Sequence, residues 1–380
     1  VDEDGAGIPG RGLPGPARRE SRKLTGLDTV DDLSRRIVVA LQQDGRASWT
    51  AIAAACGTSV PTVARRVQQL VADGVVRVAV MPRLGSTGPV ETFFVRIGCR
   101  PGTQLEVAAQ LVARDDVRWA ALITGPYDIA VELVVDAGPT RYPKTMLELQ
   151  TIPGVERWYS DLLLHVYKVS HDWSRQLLGD ETGGGSQVAE PTLCEPSHLD
   201  QIDWAILAVL RENGRASFKS VADVLELNES TVRRRFERMT GDGCATVVTI
   251  VPAAALGLEA ETVLTVSVEP AKLNEVADAM RRHRSVRYLA ATLDGNSLLC
   301  EVIATSTKGL FEFTTSTLAN LPGVVGWSAS VELLSLKRGF VETPWWRDQL
   351  AEHLADDVAF EGFGVGSAGA EVGPRGQRGW

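Results

Sequence analysis

Nowhere in its 380 residues does the chain carry the run of about 18–20 apolar residues that a membrane span requires. Its first residues, VDEDGAGIPGRGLPGPARRESRK, lack the apolar centre of a secretory leader, so export is not expected. Cysteine is scarce: Cys56, Cys99, Cys194, Cys244 and Cys300 form no CxxC pair and leave an odd number. That usage fits the reducing cytoplasm. The five histidines are scattered, and none stands at helix spacing from a second ligand, so no metal is expected. No catalytic residues and no cofactor are expected either. What is there in quantity is acid, for a net charge of −9, which on average argues against nucleic acid. The average conceals a basic segment. Residues 33–78 hold Arg35, Arg36, Arg46, Arg65, Arg66 and Arg77 against only Asp44 and Asp73.

The chain also repeats itself. GRASW at 45–49 returns as GRASF at 214–218, and an offset of 169 aligns far more than these five residues. It places Ile37 on Ile206, Thr62-Val63 on Thr231-Val232, Arg65-Arg66 on Arg234-Arg235, Trp158 on Trp327 and Lys168 on Lys337. A register held over about 140 residues is an internal duplication, and its period far exceeds that of a solenoid, so each copy is a whole folding unit.

Within each copy the apolar period changes once. DDLSRRIVVALQQDG puts Leu33, Ile37, Val38 and Leu41 on one helical face. Ser48 and Ser59 stand where N-caps of two further helices belong, and Gly57 supplies the tight corner between them. After Gly74 the period becomes two. Strands are expected at 75–82, 92–99, 117–124, 128–135 and 155–168, with helical spacing at 103–115 and 140–151. The order strand, helix, strand, strand, helix, strand is a split βαβ, or ferredoxin-like, plan. The fold class is therefore α+β: two copies of a (winged) helix-turn-helix head followed by a ferredoxin-like βαββαβ body. The expected division is a disordered tail at 1–28, head 1 at 29–78, body 1 at 79–172 and a flexible linker at 173–198. Head 2 at 199–247, body 2 at 248–346 and a disordered tail at 347–380 complete it.

Residues 33–76, and again 202–243, resemble the Lrp/AsnC family, the feast/famine regulators, which follow the line LDxxDxxILxxLxxxGRxSxxxLAxxxGLSxxxVxxRVxxLxxxGVI. The resemblance implies a DNA-binding head joined by a hinge strand to an effector-binding body that also makes the dimer. Head 2 departs from the line: Glu226 stands where the turn glycine belongs, and over 202–247 seven basic residues meet seven acidic ones.

Burying Val63, Val67 and Leu70 turns Pro61, Thr62, Arg65, Arg66 and Gln69 outward on the third helix, beside Ser59 at its start. In head 2 the same face carries Ser230, Thr231, Arg234, Arg235 and Arg238. A charged helix face is ordinarily just solvated. On the third helix of a three-helix head, these residues instead become the expected contacts to double-stranded DNA, because recognition helices read base edges from their N-terminal half. The turn TGPYD at 124–128 matches the family's GxYD, which implies an effector site at Gly125, Tyr127 and Asp128 for an amino acid or small metabolite. Body 2 has Asp294-Gly295-Asn296-Ser297 there, keeping a turn without those side chains. The isolated His165 and His171 read as structural or solvated. Two fused copies imply an intramolecular pseudo-dimer, an operator with unlike half-sites, self-association through the bodies and a cytoplasmic location on the nucleoid. The competing class is an enzyme of similar plan, such as a haem-pathway decarboxylase, without a DNA role.

Overall fold

The computed structural model describes residues 29–83, 90–136, 138, 141–178, 199–294, 297–343 and 346–347. The tail expected at 1–28, all but Arg347 of the tail expected at 347–380, and residues 179–198 of the linker expected at 173–198 lie outside them. Head 1 is built from α1 (Asp32–Gln43), α2 (Trp49–Cys56) and α3 (Val60–Ala72), and leaves through β1 (Arg77–Pro82). Body 1 follows as β2 (Val90–Cys99), α4 (Gln104–Val112), β3 (Val117–Ile123), β4 (Ile129–Asp136), α5 (Arg141–Gln150) and β5 (Val155–Val169). A short helix, α6 (Trp173–Leu178), ends the first copy. The second copy repeats the order with α7 (Gln201–Glu212), α8 (Phe218–Leu225), α9 (Glu229–Gly241) and β6 (Ala245–Ile250). Its body is β7 (Ala260–Val268), α10 (Leu273–Arg281), β8 (Val286–Thr292), β9 (Ser297–Ala304), α11 (Thr307–Glu312) and β10 (Val324–Arg338), trailed by β11 (Val341–Glu342).

Local chemistry explains the heads. Asp31, Ser48 and Ser59 accept the backbone N–H groups of Ser34, Ala51 and Thr62, so each helix of head 1 starts on a side-chain cap. Gly57 ends α2 at φ +62°, the left-handed conformation that the corner requires. Head 2 makes the same corner with Glu226 at φ +54°. A residue with a Cβ is strained there.

The bodies are joined by their last strands. In body 1 the strand order is β5-β2-β4-β3, and in body 2 it is β10-β7-β9-β8. Beyond its own body, β5 continues onto β8, and β10 continues onto β3, both antiparallel. Eight strands thereby close into a ring, β3-β4-β2-β5-β8-β9-β7-β10 and back to β3. Alternation along each strand divides the side chains. Phe93, Val95 and Ile97 pack outward under α4 and α5, while Phe94, Ala121, Ile123 and Leu163 meet Val263, Ala290 and Leu299 of body 2 inside the ring. Two buried lysines, offset by 169 residues, tie the ends. Lys168 of β5 donates to the His283 carbonyl after α10, and Lys337 of β10 donates to the Val112 and Arg114 carbonyls closing α4. Each body thus supplies a cation to the C-terminal end of the other's helix.

Two expectations need correction. Residues 173–178, placed in the linker, form α6, and Trp173 is buried in the head 1 core; an isolated tryptophan carries no periodicity to announce that docking. Cysteine spacing gives no sign of a cross-link, yet Cys244 is disulfide-bonded, while Cys56, Cys99 and Cys300 are buried free thiols. Proximity in space, not spacing in sequence, decides such pairing.

The corner of head 2 gives a test of strain. Glu226→Gly is expected to stabilise the protein by up to about 1 kcal/mol, and Gly57→Glu to destabilise it by about 1–2 kcal/mol. Urea midpoints measured at constant m-value check both signs.

Candidate functional site

The exit strands β1 and β6 pair antiparallel, with Arg77 opposite Ile250 and Pro82 opposite Ala245, and this two-stranded ribbon carries both heads. The repeated GRAS segments meet on it. A Cβ on Gly214 would stand 2.8 Å from the Ala79 backbone nitrogen, and one on Gly45 would stand 2.8 Å from Val247, so both loops approach the other copy's strand closely. From this contact the arginines cross over. Arg215 donates to the carbonyls of Gly45 and Ala47, at 2.5 and 2.8 Å. Arg46 donates to the carbonyls of Gly214 and Ala216. Each guanidinium also lies over an aromatic ring of the opposite head: Arg215 over Trp49 at 3.9 Å, and Arg46 over Phe218 at 4.6 Å. Burial lowers the pKa of both arginines from their ordinary value. The serine of each motif caps the next helix. GRAS is thus spelled twice because the two loops grip each other.

The clasp fixes α3 and α9 relative to one another. On α3, Val63, Val67 and Leu70 are buried, and Arg65 is exposed with no side-chain partner among the described residues. Arg66 is differently placed. It pairs with Asp31 and donates to Ser34, tying α3 to the start of α1. Ser59 and Thr62 share a hydrogen bond at the α3 N-terminus, Pro61 is exposed, and Gln69 donates to Asp73. Head 2 repeats the division. Ser230 and Arg234 are exposed, whereas Arg235 bridges Asp200 and Asp203 at 2.8 and 2.9 Å, and Arg238 also pairs with Asp203. Arg65 and Arg234, offset by 169, are therefore the matching exposed cations, while Arg66 and Arg235 are engaged inside their heads. Sequence spacing shows only that all four face outward; the aspartates that capture two of them lie 35 residues away or nearly so.

The turn at 124–128 sits where body 1 meets β10. Gly125 takes φ +108° beside Ser330, and Thr124 exchanges hydrogen bonds with Val331. Asp128 accepts the backbone N–H of Cys99 at 2.7 Å, and the Arg157 guanidinium lies 5.2 Å from the centre of the Tyr127 ring. At the corresponding turn of body 2, Asp294 accepts the hydroxyl of Tyr159, which raises the pKa of that phenol. Asn296 lies outside the described residues.

Comparison with known proteins places these features. The AsnC-type helix-turn-helix domain matches twice, at residues 30–71 and 199–240, and the Lrp/AsnC ligand binding domain matches at residues 261–341, in body 2. An HTH-type transcriptional regulator of Pyrococcus furiosus is 31% identical over 141 residues, covering 37% of this chain and 95% of that protein. Another, from Methanocaldococcus jannaschii, is 29% identical over 143 residues, covering 37% of this chain and 96% of that protein. Little more than a third of the chain accounts for each relative, as a duplication requires. The siroheme decarboxylase NirDL resembles the chain in fold, with a TM-score of 0.53 at 11% identity over 87% of this chain and 99% of that one. None of the described helices is long and apolar enough to cross a membrane.

The ties between α1 and α3 are acid-sensitive. The Ser34 backbone N–H, and then Arg66, hold Asp31 down at about 2; the Asp203 backbone N–H, and then Arg235, likewise lower Asp200. A depressed carboxylate stabilises the fold above its unfolded pKa, about 4, and that contribution is lost as pH falls through the folded value. Stability is expected to decline from about pH 4 towards 2, and to decline less in Asp31→Asn/Asp200→Asn. Thermal midpoints across that range provide the check.

Proposed function

Since the chain belongs to the Lrp/AsnC family of DNA-binding transcriptional regulators, we propose that one chain acts as a pseudo-dimer, reading an operator with unlike half-sites through α3 and α9. The observation that carries this reading is the pair of exposed arginines, Arg65 and Arg234, at equivalent positions of two helices that the GRAS clasp holds together. In this reading Pro61, Thr62 and Gln69, with Ser230 and Thr231, flank the arginines at the DNA surface. Ser59, Arg66, Arg235 and Arg238 shape the two helices from within or contact phosphates at their edge. The unlike half-sites follow from divergence, since the two faces differ at nearly every position but the arginines and the threonine.

The bodies, with the strand order of a ferredoxin-like fold in each half, supply effector binding. The turn Gly125–Asp128 is a candidate contact because it lies at the junction of the two halves, and body 2 is the part that matches the ligand-binding family. Exposed Val325, Trp327, Val331 and Leu333 on β10, with Tyr159 and Leu164 on β5, support association between chains through the bodies. The site of action is the nucleoid, in the cytoplasm. A tetrapyrrole enzyme fits less well. The cavity between the bodies is about 130 Å³, near the size that accepts one benzene-sized ring, where a tetrapyrrole brings four.

Arg65→Ala and Arg234→Ala are each expected to weaken operator binding by about 1–3 kcal/mol if the arginine reads a base, each on its own half-site. Gel-shift titrations at fixed salt, on operators with either half-site swapped, measure this. A palindrome that binds tighter than the natural operator contradicts the reading of unlike half-sites.

A further inference from the structure

The cavity of about 130 Å³ lies between the hinge ribbon and the closed ring of strands. Its wall is contributed in pairs. Arg118, Trp119 and Glu132 of body 1 stand opposite Arg287, Tyr288 and Glu301 of body 2, each pair offset by the same 169 residues. Met81 and Ile250 of the ribbon form a further pair with that offset. The cavity therefore straddles the axis that relates the two copies. In a dimer of identical chains such a chamber shows the same groups from both sides. Here it does not. His171 and Trp173 line it from the first copy, while the second copy has Phe340 and Glu342 at those positions, outside the lining.

The charges of the wall cancel. Arg118 pairs with Glu132, and Arg287 and Arg338 share Glu261, Glu301 and Glu332. Burial, reinforced by Glu301, drives the carboxyl of Glu332 well above the usual carboxylate range, so three cations face three anions. Glu301, although buried, is held well below that range by Arg287 and Arg338. His171 is exposed to solvent on the wall of the void, with no hydrogen-bond partner among the described residues. Desolvation, with Arg118 and other nearby guanidiniums, lowers its pKa to about 4, so near neutral pH it offers one donor and one acceptor without charge. Phe94, Trp119, Trp173 and Tyr288 provide flat apolar surface around it.

We infer that this chamber is a second small-molecule site, distinct from the turn at 124–128, and that it takes a neutral, planar, single-ring molecule with polar atoms at its edge. Size admits about one ring, the aromatic wall favours a flat one, and the cancelled charges offer no surplus to an ion. Trp173 and Val251 belong at once to this wall and to the head 1 core, so an occupant touches a head and both bodies together. The duplication has made an axial chamber one-sided, and so able to orient an unsymmetrical ligand.

The test is calorimetric titration of the full chain at pH 7 with nicotinamide and with uracil as neutral rings, and with benzoate as a charged ring of similar size. At least one neutral ring is expected to bind saturably at one per chain, with benzoate at least roughly tenfold weaker. His171→Trp, which fills the chamber, is expected to abolish binding. His171→Ala, which enlarges it without breaking a hydrogen bond, is expected to weaken binding roughly tenfold and keeps the test decisive if the larger substitution fails to fold. Tyr127→Phe is expected to leave binding unchanged. The inference is overturned if neither neutral ring binds up to millimolar concentration, if benzoate binds as well, or if His171→Ala binds like the parent.

Discussion

Everything else in this molecule rests on the crossing of β5 and β10 from one body to the other. Each strand is 15 residues long, roughly 50 Å at strand rise, about twice what pairing within its own body uses. The surplus pairs with β8 and β3, which are edge strands in a lone body, and an unpaired edge is a standing invitation to aggregate. Closing the ring buries the inner face of both sheets at once. It also brings Lys168 and Lys337 to helix ends they could not otherwise reach. Because the two partners are one chain, this association is intramolecular, and no second subunit has to be found.

The heads inherit their placement from that closure. The exit strands pair as a ribbon above the ring, and the GRAS loops grip across it. Glycine permits the approach, arginine satisfies two carbonyls of the opposite loop, the aromatic receives that loop's guanidinium, and serine starts the next helix. Four of these five residues do four separate things, which accounts for GRAS and a following aromatic surviving in both copies where neighbouring positions have drifted. Burial of a guanidinium costs stability, but two charge-assisted hydrogen bonds and a ring face offset it.

Much of this is legible in the sequence. The change of period from helix to strand located the elements to within two or three residues, since each face is buried on one side only. Ser48, Ser59 and Gly57 announced the caps and corner they form, and Glu226 announced the strained one. Site residues were legible only as faces. Spacing puts Arg65 and Arg66 outward alike, but cannot show that Asp31 folds back to hold Arg66. Likewise Trp173 and His171 are isolated in sequence. Their roles come from the packing of α6 on head 1 and from the position of the copy axis, neither of which leaves a periodic mark.

Divergence has acted where the copies need not match. The clasp arginines and the capping lysines remain, because each serves the other copy. Most other positions on the outward faces of α3 and α9, the turns at 124–128 and 293–297, and the residues at 171 and 340 have separated. The central claim is that the clasp makes the two heads a single reader of fixed span. The most direct test is operator affinity as the separation between half-sites is lengthened by about 5 base pairs, half a helical turn. The parent protein should lose most of its specific affinity, while Arg46→Ala/Arg215→Ala should bind the original operator less well yet tolerate the longer one. Equal sensitivity to spacing in both proteins would contradict the account.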